Sequence, residues 1–168
     1  MKAMSLLLVM LLSVMSGADR GEGVLESGGS VRLLEEVTVV DDTPDFTGPQ
    51  LVVVERVEEA DLPLAFPGSE NRIAPFYRFS SDEGWWAGRL GLEARVRLPE
   101  GADPYGLALQ AFIPAESLDH PPPPGVAGLW AAVPITYDPE THEAVFRLNV
   151  LRPEGFFVTF SSGNFPSK

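Results

Sequence analysis

The residues that could do chemistry are few and scattered. Two adjacent tryptophans, Trp85 and Trp86, follow Ser80-Ser81-Asp82-Glu83-Gly84. Neighbouring side chains on a strand point to opposite faces, so one indole would face a core and the other would face out. An outward ring can stack on a sugar or on a partner's surface, because amphipathic aromatics carry much of the energy at such sites. The competing reading fills the core with one ring and packs the other beneath a loop. Trp130 lies in an apolar run and reads as core. The densest carboxylate cluster is Asp41-Asp42-Thr43-Pro44-Asp45. Calcium takes roughly six to eight oxygens, often from closely spaced Asp residues in a loop, so Asp41, Asp42 and Asp45 are the candidate ligands. The run lacks the Asp-x-Asp-x-Asp-Gly order of a calcium loop, and a solvated turn between strands competes with the metal reading. Asp82-Glu83 is a weaker instance of the same idea.

Other chemistries have thinner support. The two histidines, His120 and His142, have neither the H-x-x-x-H nor the H-x-E-x-H spacing of a zinc site and read as loop residues. A serine hydrolase needs Ser, His and an acid to converge. No Gly-x-Ser-x-Gly elbow occurs, and Ser161-Ser162-Gly163 reads as a chain end. The chain has no cysteine, which excludes thiol nucleophiles, iron–sulfur clusters, disulfides and a lipidated N-terminal Cys. No catalytic residue and no cofactor is expected. An enzyme, hydrolytic or metal-dependent, remains the alternative. It would require a histidine or the Asp cluster to meet other polar groups in a pocket.

The elements that must position these residues have the period of strands. Residues 90–98 alternate, with Leu90, Leu92, Ala94, Val96 and Leu98 on one face and Glu93, Arg95 and Arg97 on the other. Residues 105–113 repeat the pattern through Leu107, Leu109, Ala111 and Ile113, and residues 143–150 through Ala144, Phe146, Leu148 and Val150. Shorter or less regular runs cover residues 37–40, 51–57, 76–79, 129–137 and 156–160. Turn chemistry separates them at residues 99–104, at Asp138-Pro139-Glu140-Thr141-His142 and at Pro153-Glu154-Gly155. Four prolines, residues 121–124, place the connection over residues 114–128 outside the sheets, in an extended polyproline form. Residues 58–62 allow one helical turn. About eight short strands predict an all-β fold, a single antiparallel sandwich.

Residues 1–18 have a different character. Lys2 precedes the apolar run Leu6-Leu7-Leu8-Val9-Met10-Leu11-Leu12-Ser13-Val14, and Ser16-Gly17-Ala18 supplies small residues before Asp19. This is the order of a secretory signal cut between Ala18 and Asp19. The stretch is shorter than the ~20 residues of a spanning helix; an uncleaved anchor is the competing reading. Residues 19–30, rich in Gly, Ser and Glu, predict a flexible leader, residues 31–163 the sandwich and residues 164–168 a tail. Cleavage removes Lys2 from the 12 basic residues and none of the 24 acidic ones, so the net charge moves from −12 to near −13. Such a chain lacks the cations that nucleic acid or anionic lipid would need. No Asn-x-Ser/Thr sequon occurs, which favours a bacterial source.

The segments Phe76-Tyr77-Arg78-Phe79-Ser80, Ala94-Arg95-Val96-Arg97-Leu98-Pro99, Gly128-Leu129-Trp130-Ala131-Ala132-Val133-Pro134, Tyr137-Asp138-Pro139-Glu140-Thr141 and Phe156-Phe157-Val158-Thr159-Phe160-Ser161 follow an order of strand endings. That order resembles Ig-like or ZU5-like β-sandwich modules of bacterial exported or surface proteins. The resemblance covers residues 75–162 and implies cohesion or binding at the cell exterior rather than catalysis. The expectation is an exported, non-catalytic sandwich whose partner is an extracytoplasmic protein or glycan, with no nucleic acid and no membrane contact after cleavage. A carbohydrate-binding module using Trp85 or Trp86 is one alternative. An accessory whose open edge strand accepts a partner's strand is another.

Overall fold

A computed structural model describes residues 19–162, apart from residues 87, 89, 105 and 121 and the side chain of Trp86. The expected signal, with Ala18 at its end, and the expected tail lie outside the described residues.

The described residues form thirteen strands where about eight were expected: β1 (Arg20–Leu25), β2 (Ser30–Arg32), β3 (Val37–Val40), β4 (Gln50–Val57), β5 (Phe76–Ser80), β6 (Trp85–Trp86), β7 (Leu92–Arg97), β8 (Leu107–Pro114), β9 (Gly128–Val133), β10 (Thr136–Asp138), β11 (Glu143–Leu148), β12 (Val150–Leu151) and β13 (Phe156–Ser162). Six pair in the order β1-β4-β5-β13-β8-β9, five in the order β10-β11-β7-β3-β2, and β12 pairs with β6 in a small ribbon. Every pairing is antiparallel.

Alternation decides which face is buried. In β7, Leu92, Ala94 and Val96 are fully buried between outward Glu93, Arg95 and Arg97. They join Val37, Val39, Ala144, Phe146 and Leu148 of the same sheet. Against them stand Val52, Val54, Tyr77, Phe79, Leu109, Ala111, Val158 and Phe160 of the six-stranded sheet. Phe146 meets Phe79 at 5.8 Å and Phe160 at 6.2 Å between ring centroids, edge to face, across the interior. The architecture is an all-β sandwich of two antiparallel sheets.

Five expectations are corrected. The region read as a flexible leader contains β1, paired with β4 from Arg20↔Glu55 to Leu25↔Gln50, and Leu25 is fully buried. Its glycines are packing residues: a Cβ on Gly21 would lie 1.6 Å from the Leu33 carbonyl oxygen, and one on Gly23 would lie 2.4 Å from Val31. The run over residues 129–137 is two strands, because Pro134 cannot donate to a ladder and the chain crosses there from one sheet to the other. The run over residues 143–150 ends at Leu148. Val150 turns outward into the β12–β6 ribbon and is 38% exposed. Leu90 precedes β7 and is 59% exposed. Ser161 and Ser162 belong to β13, and Ser161 is buried beside Gln110.

A second apolar cluster lies outside the sandwich interior. Residues 58–75 fold over the outer face of the six-stranded sheet and bring Phe66 against Phe76 and Trp130, at 5.5 and 5.1 Å. Phe112 closes on Trp130 at 5.8 Å. Trp130, read as core, therefore packs in this outer layer and donates its indole N–H to the Leu64 carbonyl at 3.1 Å. Among the described residues, no helix is long and apolar enough to cross a membrane.

Candidate functional site

The Asp cluster is dispersed by its own hydrogen bonds. Asp41 is buried, with Oδ2 accepting the Gly28 amide at 2.5 Å and Oδ1 accepting the Thr43 amide at 3.1 Å. Asp42 points away, into a two-pronged ion pair with Arg147 at 2.5 and 2.9 Å. The Arg147 hydrogen bonds hold the Asp42 carboxyl below its ordinary range. Asp45 lies against Gly88, and its backbone amide donates to Thr43 Oγ1. No group of three or more metal-ligating side chains occurs among the described residues. The Asp42–Arg147 pair opens a charged row across the outer face of the five-stranded sheet, continuing through Glu93 and Arg95 to Glu143.

Trp85 donates its indole N–H to the Leu51 carbonyl at 3.1 Å and packs edge to face on Phe46 at 5.3 Å. That ring is occupied with packing. For Trp86 the structure shows only the backbone, paired with Val150. The exposed His120 stands apart, while His142 sits in the β10–β11 turn with φ of 57°. Its ring meets the Tyr137 hydroxyl at 2.5 Å and the Pro99 carbonyl at 3.4 Å, which joins two turns. Asp19, the expected first residue after cleavage, is tied to β4 by its carbonyl, which accepts the Arg56 amide, and by its carboxylate, 3.5 Å from the Arg56 guanidinium. Beside it, a groove of about 940 Å³ is lined by Arg20, Glu55, Arg56, Glu58, Arg72 and Arg78, among others. Arg20 and Arg78 pair with Glu55, and Arg56 pairs with Glu36.

What remains available is an edge. The sandwich has four edge strands, β1 and β9 in one sheet and β10 and β2 in the other. An edge presents unpaired N–H and C=O groups to any strand that approaches, and charges or short length usually guard it. β1 carries Arg20 and Glu22, and its outer side is packed against β2 and Leu33. β2 and β10 are three residues long and carry Arg32 and Asp138. β9 is six residues long and has no charged side chain. No charge occurs anywhere in residues 121–137.

Local packing makes β9 a firm platform. Gly128 is required where β9 leaves β8, because a Cβ there would lie 2.2 Å from the Ile113 carbonyl oxygen. Trp130 roots the strand in the outer cluster, and Val133 packs on the sandwich interior. Leu129 and Ala132 remain exposed. The reading of residues 129–137 as one buried strand hid this edge, although Pro134 within the run was a signal for it. Compared with protein-family models and with the curated proteins, the chain matches none.

Proposed function

We propose that the chain is an exported, non-catalytic β-sandwich that binds a protein partner outside the cytoplasm by strand addition to β9. One observation carries this reading: β9 is a six-residue edge without a charged side chain, while the other edges carry charges. Strand addition draws affinity from main-chain hydrogen bonds and specificity from alternate side-chain sites. Leu129 and Ala132 supply those sites on opposite faces of β9. The Ig-like or ZU5-like resemblance agrees with a binding role and with the two-sheet architecture. Export rests on the apolar run and small residues before Asp19.

A photo-reactive residue at position 132, introduced in the producing cell, tests the docking. It should cross-link efficiently to protein, whereas the same residue at exposed position 24 on β1 should not. Equal yields from both positions would defeat the reading. N-terminal sequencing of the exported protein should begin at Asp19; a start at Met1 would defeat the cleavage.

A further inference from the structure

We infer that the strand that adds to β9 is β9 of a second copy of this chain, related by a twofold axis. The inference rests on the strand-addition reading and names its partner. An antiparallel strand paired with itself about a twofold presents the same patch from both copies. Pairing of this kind would join two six-stranded sheets into one continuous sheet.

Charge decides between a second copy and a different partner. Two copies of net charge −12, near −13 after the proposed cleavage, repel each other wherever their carboxylates meet. Their association is least opposed at a strip free of charge, and β9 with its flanks is such a strip. A basic partner would instead be drawn to the acidic remainder of the surface. Side-chain size agrees. Gly128, Ala131 and Ala132 leave room for a facing strand, and Leu129, 38% exposed, would be covered by it. β1 is unsuited to the same role, since its outer side is packed against β2.

The test is the oligomeric state of the exported protein, followed by sedimentation over a wide concentration range. The wild type should dimerise, and added salt should strengthen the dimer by screening repulsion between like-charged copies. Ala132→Lys and Ala132→Glu should each weaken the dimer by about tenfold or more. Opposite charges with the same effect point to the strand edge rather than to net charge. Val24→Lys, on β1, should leave the dimer unchanged. Thermal melts of both Ala132 variants should match the wild type, which separates lost pairing from lost folding. A monomer at every concentration overturns the inference, as does a dimer indifferent to both Ala132 variants. A monomer that still cross-links from position 132 to a different protein overturns the second copy alone and leaves strand addition standing.

Discussion

The two lateral sides of the sandwich are built on opposite plans. On one side β1 and β2 lie against each other, with Gly21 and Gly23 stripped of side chains so that Leu33 and Val31 can close in. Arg56 bridges the sheets nearby. It holds Glu36 through both carboxylate oxygens at 2.9 and 2.8 Å, and the Tyr77 hydroxyl donates to the same carboxylate at 3.1 Å. On the other side the chain crosses between sheets at Pro134 and Ile135, and among the described residues no strand lies beyond β9. The closed side therefore invests its residues in stability. The other side ends in a strand whose outer backbone groups pair with no strand among the described residues.

Substitutions on the two sides should separate these roles, and the largest stability effect belongs to the closed side. Gly21→Val forces a side chain into the Leu33 backbone and should cost about 3 kcal/mol or more in urea unfolding, in the range of severe overpacking. Glu36→Gln should cost about 2 kcal/mol at neutral pH, since it weakens charge-assisted bonds to Arg56 and Tyr77. Burial pushes the Glu36 carboxyl up, but the Arg56 hydrogen bonds and the other partners outweigh it and hold the group below the ordinary carboxylate value. A depressed carboxyl contributes stability above its unfolded pKa and loses it as pH falls through the folded one. The gap between wild type and Glu36→Gln should therefore narrow in acid, as unfolding curves at a series of pH values would show.

Smaller effects follow. Trp85→Phe keeps most of the packing on Phe46 but leaves the Leu51 carbonyl without its donor. It should cost about 1 kcal/mol. Asp42→Ala breaks an ion pair whose side chains are 39% and 43% exposed. That change should move stability by less than about 1 kcal/mol, as calorimetry would record. Ala132→Lys, on the open side, should leave stability within about 0.5 kcal/mol. If Ala132→Lys proved as costly as Gly21→Val, the contrast between the sides would collapse.

The strands with strict alternation were legible in the sequence. β7 and β11 fall inside the alternating runs, which overran them only at Leu90 and Val150, because one face of each is buried. Other elements depend on partners that no local pattern carries. Gly21 and Gly23 read as linker residues because their packing role comes from Val31 in β2 and Leu33 just after it. Asp42 read as a possible ligand because its partner Arg147 lies 105 residues away. Trp130 read as core because the cover formed by residues 58–75 has no periodicity of its own. The candidate edge was legible only in part. The lack of charge in residues 121–137 is plain in the sequence, but only the sheet order shows that β9 has one neighbour.

The place of β13 bears on the timing of folding. This last strand sits between β5 and β8, so sequence order and spatial order disagree in the six-stranded sheet. Until residues 156–162 arrive, no strand ladder joins β5 to β8, and the six-stranded sheet stands as two half-sheets. Completion waits on the final stretch of chain, and such long-range pairing is slow. Under the export proposed above, through a narrow channel in extended form, that delay would hold the sandwich open while the earlier strands pass.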